Sequence, residues 1–109
     1  MTISEHHVFW AETAQGDLRK IIEYIALDNS IQARRVYLAI KQKADDLRQM
    51  PLQGRIVPEL RYYNIIIYRE LISPPWRIIY KTEKNKVWVL AVIDGRRNVE
   101  EILLERFIY

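Results

Sequence analysis

The sequence predicts an α+β fold of order β-α-α-β-β-β-α, with a helical hairpin and a C-terminal helix packed on a mainly antiparallel four-stranded sheet. Three observations carry that expectation. Two long apolar stripes at helical spacing lie side by side in the first half of the chain. Three β-prone runs with very short connections follow them. The last of these runs, Val87-Trp88-Val89-Leu90-Ala91-Val92-Ile93, is apolar at both odd and even positions, as a strand covered on both faces requires.

The elements follow in order. His6 to Trp10 is a short β-prone run, suited to an edge or paired strand. From Thr13 to Leu27, Leu18, Ile21, Ile22 and Ile25 fall at i, i+3, i+4 and i+7, which places them on one helix face. Asp28-Asn29-Ser30 interrupts the pattern and supplies a capping side chain for the next helix. That helix is expected from about Ile31 to Gln49, with Ala33, Val36, Tyr37, Ile40, Ala44 and Leu47 as its buried stripe and Pro51 as its stop. The tight connection makes the pair an antiparallel hairpin.

Pro51 to Pro58 is expected to be loop. Strands are expected at about Asn64–Ile72, Trp76–Thr82 and Lys86–Ile93, separated by Ser73-Pro74-Pro75 and by Glu83-Lys84-Asn85. Connections this short join antiparallel neighbours in a meander. Gly95 ends the last strand, and Asn98 caps a helix reaching Phe107. There is no repeat, low-complexity run or linker, so residues 1–109 are read as a single domain.

Composition narrows the function classes. The 109 residues are 50% hydrophobic and 28% charged, which is ordinary for a globular protein. There is no cysteine, which excludes disulfides and thiolate metal sites. The N-terminus has no basic stretch leading into an apolar core, and no apolar run approaches the length of a bilayer span, so a cytoplasmic protein without membrane contact is expected. The net charge is +3, but eight basic side chains stand against three acidic ones between Arg61 and Arg97, and the remainder is slightly acidic. This concentration favours an anionic partner, either nucleic acid or an acidic peptide.

The candidate target-binding residues are Arg61, Arg69, Arg77, Lys81, Arg96 and Arg97. If Ser73-Pro74-Pro75 forms the whole turn, Leu71 faces Arg77. Arg69 and Arg77 then share one sheet face as diagonal neighbours, Lys81 joins them, and Arg96 and Arg97 reach the same rim. Guanidinium groups gathered in this way bind phosphates bidentately. The inference depends on register, because a two-residue turn places Arg69 and Arg77 on opposite faces. The competing reading for each arginine is a salt bridge to Glu70 or Asp94. Proton carriers are scarce. His6 and His7 alternate in direction along a strand and make a poor metal pair. Asp45-Asp46 and Glu100-Glu101 point apart on helices, and no phosphate-binding loop, nucleophile elbow or dinucleotide fingerprint is present. No cofactor, metal or small-molecule substrate is expected. Tyr62, Tyr63, Tyr68, Trp76, Tyr80 and Trp88 could stack on bases, although sheet packing explains most of them more simply.

The run Tyr68-Arg69-Glu70-Leu71-Ile72-Ser73-Pro74-Pro75-Trp76-Arg77-Ile78-Ile79-Tyr80 resembles the strand–turn–strand signature of RelE/ParE superfamily toxins. Residues 87–93 followed by Asp94-Gly95-Arg96-Arg97 resemble the family's final strand and its basic exit. Trp10-Ala11, Tyr24-Ile25-Ala26, Ala33-Arg34-Arg35 and Pro51-Leu52-Gln53-Gly54-Arg55 fall where that family has similar pieces. The resemblance implies the toxin of a type II toxin–antitoxin pair, silenced by an acidic, amphipathic antitoxin segment that folds on binding. It leaves two modes of action: a ribosome-dependent mRNA endoribonuclease of the RelE kind, or a ParE-like poison of DNA gyrase. An inactive antitoxin-binding module is a third reading.

On the endoribonuclease reading, Arg69, Arg77 and Arg97 match the basic cleavage positions. Leu71, however, replaces a second strand lysine, Asp94 replaces a histidine, and Leu103 and Leu104 replace an aromatic or imidazole. These departures keep phosphate binding but remove the proton carrier, and so favour the gyrase reading.

Overall fold

The computed structural model describes residues 6–108. Residues 1–5, weighed above as a leader, and residue 109 lie outside the described part. Five strands form one sheet in the order β1-β5-β4-β3-β2. They are β1 (His7–Trp10), β2 (Arg55–Ile56), β3 (Tyr68–Ser73), β4 (Trp76–Glu83) and β5 (Lys86–Asp94). The helices are α1 (Glu12–Ala26), α2 (Ser30–Asp45), α3 (Pro58–Arg61) and α4 (Val99–Phe107), and a 3-10 turn at Asp46–Arg48 extends α2. Among the described residues, no helix is long and apolar enough to cross a membrane.

The helical hairpin, the β3–β4–β5 meander and the C-terminal helix stand where the periodicity placed them. Asn29 accepts a hydrogen bond from the Gln32 amide at 2.9 Å and starts α2, and Asn98 accepts one from Glu101 at 3.2 Å and starts α4. The sheet has five strands rather than four. Arg55 and Ile56, inside the segment expected to be loop, pair antiparallel with Glu70 and Arg69. The strand expected from Asn64 starts later, at Tyr68, because the chain turns through Asn64, at φ 62°, after the one-turn helix α3. β1 runs parallel to β5, because the α1–α2 hairpin carries the chain to the far edge of the sheet and the antiparallel strands β2, β3 and β4 bring it back beside β1.

Both faces of β5 are covered, which accounts for its apolar residues of either parity. On the upper face, Leu71, Ile78, Tyr80, Val87, Val89 and Val92 pack against Ala14, Leu18, Val36, Ile40, Ala44 and Leu47 of the hairpin. On the lower face, Ile79, Ala91 and Ile93 meet Val57, Leu60, Val99 and Leu103. Tyr37, expected in the buried stripe, is 41% exposed, because α2 turns it towards the cleft between the helices.

Past the end of β1, one edge of β5 has no strand partner. There Asp17 accepts from the Val92 amide at 3.0 Å and also binds Arg106 of α4 through two contacts of 2.7 Å. One carboxylate thus closes the sheet edge and ties the upper layer to the lower.

The loop before β2 is fitted closely to the sheet. The Gly54 amide donates to the buried Tyr80 hydroxyl at 3.0 Å. A Cβ on Gly54 would lie 2.5 Å from the Glu70 carbonyl oxygen and 2.7 Å from that hydroxyl. Gly54→Ala is therefore expected to lower stability by about 1–3 kcal/mol, seen as a smaller urea midpoint with unchanged slope.

Candidate functional site

The expected cluster of basic side chains does not form, and the cause is a single residue of register. β3 and β4 are joined by Pro74-Pro75 alone, so Ser73 faces Trp76 and Ile72 faces Arg77. Arg69 then lies on the upper face with Leu71 and Tyr80, while Arg77 lies on the lower face with Glu70 and Ile79. The sharing of one face by Arg69 and Arg77 is thus corrected. The other basic candidates are dispersed as well. Arg61 ends α3, Lys81 stands on the lower face nearer β1, and Arg96 and Arg97 occupy the turn after β5.

Each of the strand arginines has internal partners. Arg69 donates to the carbonyl of Gly54 at 2.8 Å and holds the loop before β2. Arg77 is buried, and each of its three guanidinium nitrogens donates to a carboxylate. Its Nε donates to Glu70 at 2.6 Å, and its two terminal nitrogens donate to the two oxygens of Glu59 at 2.7 and 2.6 Å. Glu70 has a side chain with no exposure, and its second oxygen accepts from Arg55 Nε at 2.7 Å. Two cations and two carboxylates thus alternate through the lower layer. The hydrogen bonds from Arg77 hold the Glu59 carboxyl below its ordinary range, and the same bonds raise the Arg77 pKa further.

Arg96 is bound through two contacts to Asp94, at 2.9 and 2.8 Å, and these bonds hold the Asp94 carboxyl down at about 2. Asp94 also receives the field of Arg97. Arg61, Lys81 and Arg97 have no side-chain hydrogen bond or ion pair among the described residues. The salt-bridge reading therefore describes Arg77 and Arg96. The sequence reading passed over Glu59. Its signal was weak: a carboxylate directly after the proline that opens a short helix.

A second surface is better formed. Trp10, Leu18, Ile22 and Tyr37 line an open cleft of about 620 Å³ between α1 and α2, with Arg19, Glu23 and Lys41 on its rim and Arg19 3.7 Å from Glu23. Lys41 Nζ sits 4.6 Å above the Trp10 ring. At the hairpin tip Tyr24, Leu27 and Ile31 are exposed. This is apolar surface beside positive charge, with room for a helix or an extended peptide. Among the described residues, no group of three or more histidine, aspartate or glutamate side chains is placed to hold a metal ion.

Known proteins share this architecture. Residues 8–99 match the family profile described as "ParE toxin of type II toxin-antitoxin system, parDE". Toxin RelE2 of Caulobacter vibrioides is 30% identical over 91 residues, covering 83% of this chain and 96% of that protein. Among solved structures, the chromosomal ParDE toxin–antitoxin system from P. aeruginosa superposes with a TM-score of 0.69 at 19% identity, covering 84% of this chain and 97% of the other. The toxin–antitoxin complex RelBE2 from Mycobacterium tuberculosis gives 0.63 at 20% identity, covering 85% and 94%.

The Arg77 network has a measurable signature. Arg77→Ala leaves Glu70 short of a partner in the interior and is expected to cost about 3–5 kcal/mol in urea unfolding at neutral pH. Glu59→Gln, at the more exposed end, is expected to cost roughly 1 kcal/mol. Because folding lowers the Glu59 pKa, its contribution is complete above the ordinary value of 4.5. It disappears as pH falls through the lower folded value, so the two proteins converge in stability in acid.

Proposed function

The chain belongs to the ParE toxin family of type II toxin–antitoxin systems, and from that premise we propose that it arrests growth as a ParE-like poison of DNA gyrase, with no catalysis of its own. The observation that carries this reading is the closed fork of Arg77. RNA cleavage calls for cations converging on a phosphate, together with a proton carrier beside the 2′-hydroxyl. Here Arg77 is committed to Glu59 and Glu70, and Arg69 holds loop carbonyls on the other face. Leu103 is fully buried in the lower core and offers no titratable group. Of the three cleavage candidates, only Arg97 keeps its guanidinium without a hydrogen-bonding partner among the described residues.

The alternative, a ribosome-dependent mRNA endoribonuclease, draws support from the likeness to Toxin RelE2 and from the accessibility of Arg97. The partner on either reading is a cognate antitoxin. The cleft between α1 and α2, with its Arg19 and Lys41 rim, suits an acidic amphipathic segment that orders on binding. Arg61 and Arg97, which have no side-chain hydrogen bond or ion pair among the described residues, remain the target-binding candidates.

Two measurements test these assignments. Induced expression without antitoxin is expected to stop growth and raise the DNA damage response. The purified protein should inhibit supercoiling by gyrase and leave mRNA intact in a translation extract. Cuts mapped to the ribosomal A site, abolished by Arg97→Ala, would overturn the gyrase reading, and unimpaired growth would leave an antitoxin-binding module. Separately, Lys41→Glu together with Arg19→Glu should slow antitoxin association at least several-fold at low salt, with a smaller difference at high salt.

A further inference from the structure

The lower core reaches as far as Tyr68, and Phe9, Lys81 and Trp88, towards the β1 end of that sheet face, are not part of it. There the register lays one transverse row of side chains across four strands. Phe9 on β1 is opposite Trp88 on β5, Trp88 is opposite Lys81 on β4, and Lys81 is opposite Tyr68 on β3. Partners directly opposite share a face, so three rings and one ammonium group stand side by side. The Phe9 and Trp88 rings stack with centroids 4.9 Å apart and planes 27° from parallel. Tyr68 stacks in the same manner on Phe107, at 4.8 Å, where α4 ends over the sheet.

Lysines surround this row. Lys86 stands opposite His7 in the adjacent row, and Lys84 lies in the β4–β5 turn. Glu83 faces Lys86 without an ion pair between them. Neither Lys81 nor Lys86 has a side-chain partner among the described residues. Phe9 remains 39% exposed on an edge strand, so its ring presents a surface to solvent. Stacked rings on an open sheet, flanked by lysines with no partner of their own, suit a ligand that is planar and anionic at alternating positions. An unpaired polynucleotide has that character: its bases offer stacking faces and its phosphates lie one backbone step away. A duplex hides those base faces, and an acidic peptide would use the lysines while leaving the rings idle.

We propose that the β1 end of the lower sheet face, built on Phe9, Trp88, Lys81 and Lys86, binds single-stranded nucleic acid through base stacking and phosphate contact. The site is separate from the Arg77 network and from the cleft between α1 and α2, and it does not depend on which target the toxin poisons.

The test is fluorescence anisotropy with the purified full chain and labelled oligothymidylate, oligouridylate and duplex probes of about twelve nucleotides or base pairs. Both single strands are expected to bind more tightly than the duplex, and a preference between them distinguishes DNA from RNA. Phe9→Leu keeps an apolar side chain on the edge strand and should weaken binding roughly tenfold. Lys81→Gln should weaken it and reduce the salt slope by about 0.7. Thermal melting of both variants establishes that they fold. Equal or tighter binding of the duplex would overturn the proposal, as would oligonucleotide binding indifferent to both substitutions, or no binding at low salt. Phe9- and Lys81-dependent capture of an acidic helical peptide, with no oligonucleotide bound, would assign the face to a protein instead.

Discussion

A fully buried carboxylate organises the lower half of this molecule. Glu70 has no exposed side-chain surface and accepts from Arg55 and Arg77 through separate oxygens. An isolated charge in such a place would be prohibitively costly, so both cations are held to it. Arg77 in turn takes Glu59, and Glu59 fixes α3 beneath the sheet. The tight loop around Gly54, the two-residue strand β2 and the helix α3 are short elements with little cohesion of their own. They are held in place because this alternating chain of charges, together with Arg69 on the opposite face, passes through them.

The same network bears on the proposed function. An arginine whose fork is filled by carboxylates is a poor phosphate receptor, however well its sequence neighbourhood resembles that of a ribonuclease. The charge that remains available lies elsewhere: on Arg97 beyond β5, on Lys41 along the hairpin cleft, and on Lys81 and Lys86 beside the aromatic row. A modest net charge thus conceals three separate positive surfaces.

The upper layer rests on ordinary packing. Leu18 and Ile40 fill the space over Ile78, Tyr80 and Val89, and Asp17 joins that layer to α4 by closing the β5 edge and binding Arg106. The cleft that remains between the helices follows from residue size. Tyr37 points outward and Ala33 and Ala44 lie inward, so the hairpin leaves apolar surface uncovered on its outer side.

The local patterns in the sequence determined the two long helices, their caps at Asn29 and Asn98, the meander, and the doubly covered final strand. Helical periodicity, capping chemistry and short polar turns all act over a few neighbouring residues. They also carried enough order and spacing to place the chain in its family. Tertiary structure alone decided the register across Pro74-Pro75, the pairing of Arg55-Ile56 with β3, and the meeting of Arg77 with Glu59 across 18 positions. One residue of slippage moves a side chain through the sheet to its other face. The position at which the slippage stops depends on burying Glu70 among cations brought from distant segments. Hydrophobic alternation along a strand is the same for either turn length, so the destination of each arginine became fixed only when the layers closed.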